Sequence, residues 1–358
     1  MRRAILAIAL AAILLIGMSA RAEEMDGDMV YTLQDASGKP LTMRAGRMYV
    51  GDEYISSDDQ LYRVVRVDDQ AGVATAEHLG EAVVNQAAAT AFHSLVAQAE
   101  ASKLVAMYST HSDESYEPTD GTSSKMEDAG IYDVGNALKD ALEEHGIEVI
   151  YSEDTFHPHD SAAYTRSKRT AEELLQKGPD ALFDIHRDAV PAEQYETTID
   201  GEETSKVRLF VGRSNPNGDA NRAFAQELKA AADEEYPGLI KDIYVGKGNY
   251  NQELYPRALL LEMGTHTIDK DLAVNATDYM ADVISETLYG PSAKAAESAE
   301  TKGAGKGILW VIGGVIVAAV VYALVASGSF KRVWHKIKRS TSEVTGGIVG
   351  EKPEKPRK

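Results

Sequence analysis

Three stretches decide the fold, and each runs from an apolar strand into polar residues: LVAMYSTHSDE at 104–114, ALFDIHRD at 181–188 and ALLLEMG at 258–264. Their apolar halves have the length and composition of buried strands. Helical patterns lie between them, for example Ile131–His145, which stops at Gly146, a residue typical of helix ends. This alternation predicts an α/β fold with a mainly parallel sheet flanked by helices.

The same alternation continues to residue 288. The further predicted elements are strands at Ile147–Tyr151 and Lys206–Val211 and helices at Thr165–Gln176, Ala220–Tyr236 and Lys270–Leu288. Reactive groups of parallel sheets collect at the carboxyl ends of the strands. The polar residues that follow the three opening strands are therefore predicted to share one site.

Two histidines and one carboxylate are the donor set of a catalytic zinc ion that keeps its fourth position for water. A carboxylate outside that set can accept the proton of the water. The chain contains no cysteine, so a metal site must use histidine and carboxylate ligands. Spacing alone leaves open that His111 and His186 are structural histidines, because a His-x-x-Glu pair often occurs by chance.

The charge is distributed unevenly along the chain. The overall net charge is −19, yet residues 1–22 carry +3 and residues 328–358 carry +6, which leaves −28 between them. Because nucleic-acid phosphates require a basic surface, this composition excludes a nucleic-acid partner.

Both ends carry membrane-targeting patterns. Arg2 and Arg3, the apolar run Ala4–Met18 and the Ala-x-Ala site ending at Ala22 predict a secretory signal peptide. Residues 308–327 lack charge and are followed by a basic cluster, as expected of a transmembrane helix with a cytoplasmic tail. The predicted location is the cytoplasmic membrane, crossed once, with the middle of the chain outside the cytoplasm.

These patterns divide the chain into seven segments. They are a signal peptide at 1–22, a small β-rich module at 23–80, a connecting helix at 81–101, a catalytic domain at 102–291, a flexible tether at 292–307, the transmembrane helix at 308–327 and a basic tail at 328–358. Within the module, β-rich runs lie at Met29–Leu33, Arg47–Val50 and Leu61–Val67, separated by turn-forming residues.

Residues 100–290 resemble the stage II sporulation protein P family, which cuts peptidoglycan during engulfment in endospore formers. The resemblance rests on ordered blocks with matching separations: Tyr108–Tyr116, His159-Asp160, Tyr164–Ser167, Asp184–Ala189, Asn215–Asn217, Tyr236–Leu239, Asn249–Gln252 and Pro256–Gly264. It implies a zinc-dependent N-acetylmuramoyl-L-alanine amidase, with cleavage of stem-peptide cross-links as a second activity. It also implies peptidoglycan as substrate, with a sporulation lytic transglycosylase and a membrane scaffold as partners.

Carried over position by position, the resemblance makes His111, Glu114 and His186 the zinc ligands and Glu262 the catalytic base. Contacts with the substrate are expected from Arg187, Asp188, Arg166 and Asn217. Arg187 and Asp188 directly follow a proposed ligand, so orientation of that ligand and a structural ion pair are alternative roles for them. Glu117 is an alternative ligand to Glu114. His157 and His159 flank Pro158 in a loop predicted at the rim of the cleft, where His159 and Asp160 would support the site or meet substrate.

The chain departs from the family pattern in three places. Ser109 stands where a second histidine is common, and Thr265-His266-Thr267 replaces an asparagine-containing stretch, which leaves the role of His266 open. The predicted anchor is C-terminal, whereas the family's usual anchor is N-terminal. Two rival functions fit the same residues, namely an inactive wall-binding scaffold and a zinc carboxypeptidase.

Overall fold

A computed structural model describes residues 29–83 and 103–290. The strands are β1 Val30–Gln34, β2 Pro40–Ala45, β3 Glu53–Ile55, β4 Gln60–Asp68, β5 Val73–Glu81, β6 Leu104–Tyr108, β7 Glu148–Tyr151, β8 Ala181–Asp188, β9 Glu196–Ile199, β10 Glu202–Ser205, β11 Val207–Gly212, β12 Ile240–Gly246 and β13 Ala258–Thr265. The helices are α1 Glu117–Asp120, α2 Gly130–Glu144, α3 Ala163–Leu175, α4 Gly218–Glu235 and α5 Lys270–Tyr289, with 3-10 turns at Ala192–Gln194 and Gln252–Leu254.

Eleven of these strands form one sheet in the order β2-β1-β5-β4-β3-β12-β11-β13-β8-β6-β7. The predicted α/β class is confirmed. The strands β7, β6, β8 and β13 are parallel, as expected, but β11 runs antiparallel to β13 and β12 antiparallel to β3. The sheet is therefore mixed. The carboxyl ends of β7, β6, β8 and β13 lie at the same edge as the amino ends of β11 and β12.

Period-two alternation places the core on one face of the sheet. Odd-numbered residues of β8 and β13, such as Phe183, Ile185 and Leu261, pack against helices α2, α4 and α5 in the largest apolar cluster. Even-numbered residues of the same strands, which include His186 and Glu262, face the other side. Three of the longer helices therefore cover this face of the sheet.

Two groups of elements pack on the second face. Helix α3 packs over β6 and β8 through Ala163, Ala171 and Leu174. On the other side, residues of β1, β4 and β5 share a cluster with Phe210 and Tyr244 of the central strands. The N-terminal strands therefore curl over the sheet, and the candidate site lies on this second face.

A buried ion network fastens the N-terminal strands to the central ones. Arg208 of β11 is only 1% exposed and contacts Asp242 Oδ1 at 2.6 Å and Asp188 Oδ2 at 2.8 Å. Its guanidinium also donates to the Thr42 hydroxyl and the Met43 carbonyl of β2, each at 2.8 Å. These bonds join residues far apart in sequence, so strand β2 is part of the same folded unit.

Strands are present where the sequence predicts a small β-rich module, but they extend the central sheet through the β3–β12 pairing. The predicted run Arg47–Val50 is not a strand, while β2, β3 and β5 form outside the predicted runs. The sequence analysis also missed β12 and the β9–β10 hairpin.

The predicted signal peptide, tether, transmembrane helix and basic tail, and nearly all of the connecting helix, lie outside the described residues. Within 29–83 and 103–290, no helix combines the length and apolar character needed to cross a membrane.

Candidate metal centre

His111 and Glu114 lie on the turn that follows β6. The Glu114 amide donates to the His111 carbonyl at 3.1 Å, which closes the turn and brings both side chains to the same side. A buried strand leading into a compact turn gives these polar groups a rigid base. Both residues are 3% exposed, so they reach the site as buried groups.

His186 and Glu262 occupy adjacent parallel strands. They are directly paired in the register of β8 and β13, and neighbouring strands lie about 4.8 Å apart. The ladder is interrupted between Glu262 and Thr265, where Gly264 adopts a left-handed φ of +81°. Glu262 is thus the last regularly paired residue, and it stands beside His186 at the strand ends.

The side chains of His111, Glu114 and His186 converge, with one ligand atom of each within 4.8 Å of the others. Glu114 Oε1 lies 3.2 Å from His111 Nδ1 and 3.5 Å from His186 Nδ1. Ligands at about 2.0–2.1 Å around a tetrahedral zinc lie about 3.3 Å from one another. The donor set and its spacing therefore fit a zinc ion.

Asp184, two residues before His186 on the same face, supports both histidines. Its carboxylate accepts from the Thr110 amide at 2.8 Å and the Thr110 hydroxyl at 2.7 Å, and so holds the residue before His111. Its Oδ1 also lies 2.9 Å from His186 Nε2. Burial by itself lowers the pKa of His186, but the Asp184 and Glu114 carboxylates outweigh burial and raise that pKa well above its ordinary value.

Arg187 holds the ligand turn. Its backbone amide donates to Glu114 Oε2 at 2.9 Å, and its guanidinium donates to the carbonyls of Ser115 and Ser123. Burial raises the pKa of Glu114, yet the charge of Arg187 together with His186 keeps that pKa well below its ordinary value. The guanidinium donates to carbonyl groups of the protein, which fits the expected role of Arg187 in orienting a ligand.

The other three residues expected to contact substrate have hydrogen-bond partners within the protein. Arg166 donates to the carbonyls of Phe156 and Pro158 and to Asp160, so it clamps the 156–160 loop. Asp188 is buried in the Arg208 network and also accepts from the Tyr195 hydroxyl at 2.9 Å. The Arg166 guanidinium and the Asp188 carboxylate therefore both have partners within the protein.

Asn217 lies at the opposite edge of the sheet from Glu262. It follows the end of β11, which runs antiparallel to β13, and its amide donates to the Glu253 carbonyl at 2.9 Å, just before β13 begins. The residues that follow β6, β8 and β13 share one edge of the sheet, as expected for these three strands. The residues that follow β11 lie at the other edge because β11 runs in the opposite direction.

The structure also separates the two candidate glutamates. Glu117 is exposed at the start of α1, and it is Glu114 that joins the two histidines. His266 lies beyond Glu262, where its amide donates to the Asp188 carbonyl at 3.0 Å. Burial and then the positive charge of Arg187 lower the pKa of His266, so its ring is neutral near pH 7.

His159, in the loop predicted at the rim of the cleft, lies directly against one of the converging histidines. Its ring stacks on that of His111, with centroids 4.0 Å apart and planes 24° apart. Tyr164 also borders the centre, with its ring 5.4 Å from that of His111 and 6.2 Å from that of His186. Both residues lie in the sequence blocks that carry the resemblance, which was the available signal for them.

Residues 51–285 match the sequence model of the stage II sporulation protein P (SpoIIP) family. The chain belongs to the stage II sporulation protein P family. The match confirms the predicted resemblance and begins earlier than expected, so the SpoIIP region includes strands β3 to β5. Stage II sporulation protein P of Bacillus subtilis (strain 168) is 30% identical over 219 residues, which cover 56% of this chain and 55% of that protein. The chain thus spans about half the length of this SpoIIP relative.

Two solved structures are similar to this SpoIIP chain over about half its length. The apo N-acetylmuramyl-L-alanine amidase Ami1 of Mycobacterium abscessus covers 52% of this chain and 96% of its own, with 14% identity and a TM-score of 0.33. The N-acetylmuramoyl-L-alanine amidase of Clostridium difficile 630 covers 52% and 95%, with 14% identity and a TM-score of 0.35. These superpositions are too loose to bear on activity.

Proposed function

We propose that this chain is a cell-wall hydrolase that cleaves the amide bond between N-acetylmuramic acid and L-alanine of peptidoglycan, in sporulation. The observation that carries the proposal is the convergence of His111, Glu114 and His186 beside Glu262. Membership of the stage II sporulation protein P family supports the substrate class.

Under this proposal, the three converging residues hold a zinc ion, and Glu262 is the general base. Bound zinc would supply a polarised water and stabilise negative charge on the scissile carbonyl oxygen. Glu262 accepts the proton of the attacking water and delivers it to the leaving amine. Asp184 and Arg187 keep the ligand side chains in place, and the burial of the centre strengthens these electrostatic interactions.

Mass spectrometry of fragments released from purified sacculi tests this function. The full-length chain should release peptides that begin with L-alanine, while the glycan strands stay intact. Cleaved cross-links alongside those peptides would establish the second activity that the resemblance implies. Loss of terminal residues alone would instead indicate a carboxypeptidase, and no release would indicate a scaffold.

We also propose that the chain is anchored once in the cytoplasmic membrane with residues 29–290 outside the cytoplasm. The charge-free stretch 308–327 and the basic residues after it support this topology. Protease added to intact protoplasts should remove the folded part and leave a small C-terminal fragment in the membrane. Full protection of the folded part would refute the topology.

A further inference from the structure

We propose that His159 is a positioning residue of the metal centre, whose ring stacks on His111 and fixes the plane of that imidazole. The proposal rests on the proposed function, because the imidazole matters in this way only if His111 binds a metal. His159 itself is not placed among the ligands.

The stack is close enough to restrain rotation of the His111 ring. Centroids 4.0 Å apart with a 24° tilt put the two rings in van der Waals contact. The remaining aromatic neighbours, Tyr164 and His186, meet the ring edge-on. A ring held in this plane keeps Nδ1 directed at Glu114 Oε1, 3.2 Å away.

The two ligand histidines are thus supported in different ways. The Asp184 carboxylate lies 2.9 Å from Nε2 of His186, and such carboxylate neighbours commonly orient metal-binding imidazoles. For His111 the corresponding restraint comes from a flat ring lying over its face. A ligand that is oriented in advance loses less conformational freedom when it binds the metal.

His159 is itself held from two sides, although its side chain is 39% exposed. Its Nδ1 lies 3.1 Å from Asp113 Oδ1, and Asp113 accepts a further hydrogen bond from Ser124. The loop that carries His159 is clamped by Arg166 and by the Phe156 amide, which donates to the Ser112 hydroxyl at 2.9 Å. Because the His159 ring and its loop are both held, the ring can restrain the His111 imidazole on which it stacks.

Replacing His159 by Ala and by Phe separates stacking from hydrogen bonding. His159→Ala removes the ring, whereas His159→Phe keeps a flat ring and loses only the nitrogens. His78→Ala is the matched control, because His78 also lies against an aromatic ring, Tyr62 at 4.9 Å, and bonds a side chain, Gln60 at 2.9 Å, in strand β5. The His78→Ala substitution therefore removes a comparable ring contact and hydrogen bond outside the metal centre.

The metal-free full-length chain and the three variants are titrated with Zn²⁺ and with Co²⁺, whose visible spectrum reports coordination geometry. His159→Ala should bind Zn²⁺ about tenfold more weakly and show an altered Co²⁺ spectrum, as expected when support of a ligand is lost. His159→Phe and His78→Ala should match the wild type in both measurements. Melting of each metal-free variant is recorded in parallel.

An unchanged His159→Ala variant, or a His159→Phe variant as weak as His159→Ala, would overturn the positioning role. If the metal-free His159→Ala chain is unfolded and this explains its loss of metal, the positioning role is also overturned. If the wild type binds neither ion, the proposed metal centre itself is wrong, which keeps the two failures distinguishable.

Discussion

At the residue scale, Glu262 differs from the proposed ligands by its position, since it stands on β13 next to His186 and outside the converging triad. Glu262→Gln keeps the size of the side chain and removes the proton acceptor. The rate of peptide release from sacculi should fall by at least about 10²-fold, the scale of general base catalysis, while zinc content stays unchanged. Loss of zinc in the folded variant would make Glu262 a ligand, and near-normal turnover would remove it from catalysis.

The histidines of the triad should each be needed for metal. His111→Ala or His186→Ala leaves two donors, too few to hold zinc against a competing buffer. Elemental analysis of the purified chains should find about one zinc per wild-type molecule and little in either variant. His145→Ala, on the helix side at the end of α2, is a suitable control because this histidine pairs with Asp282 instead. Stoichiometric zinc in His186→Ala would exclude that residue from the ligand set.

Metal binding should also depend on pH with a definite sign. Only a neutral imidazole donates to a metal, so protons compete with zinc and binding weakens as pH falls. The carboxylates of Asp184 and Glu114 raise the pKa of His186 although burial opposes them, so this competition begins at a higher pH than for an ordinary histidine. Zinc retained after equilibration between pH 8 and pH 5 measures the effect. Retention that rises as the pH falls would contradict it.

At the element scale, strand β2 depends on the buried charge of Arg208. Arg208→Ala would leave Asp188 and Asp242 without their guanidinium partner, and breaking a buried ion pair costs about 3–5 kcal/mol. Chemical denaturation should show a fall of that size in the free energy of unfolding. The control Arg63→Ala removes an ion pair with Glu53 from a side chain that is 46% exposed, and should cost less than about 1 kcal/mol. Equal effects of the two substitutions would show that the network does not hold β2.

At the scale of the whole molecule, the N-terminal strands and the site-bearing strands share one sheet, so we expect them to unfold as one cooperative unit. Deleting residues 29–83 removes the pairing of β3 with β12 and uncovers Phe210, Tyr244 and Leu260. A chain that begins at residue 103 should therefore lose its cooperative thermal transition, whereas one that begins at residue 29 should keep it. A sharp transition in the shorter chain would establish the N-terminal strands as a separate module.

The alternation of strands and helices could be predicted from local sequence pattern, and the family resemblance supplied the residues that meet at the candidate metal centre. Strands β6, β8 and β13 begin with apolar runs that lead into chemically distinctive polar residues, so local pattern was sufficient to predict them. The family resemblance then selected Glu114 over Glu117, and the structure agrees.

Strand direction and long-range contacts could not be predicted from local pattern and became visible in the folded chain. Whether β11 runs parallel or antiparallel to β13 depends on packing between distant segments, and no local pattern encodes it, so the sequence did not show that Asn217 lies at the opposite edge from Glu262. The buried partners of Asp188 and Arg187 and the stacking of His159 on His111 likewise join residues tens of positions apart. Side-chain chemistry is local and can be predicted from sequence, whereas the partner that each charge or ring meets is fixed by how the whole chain folds.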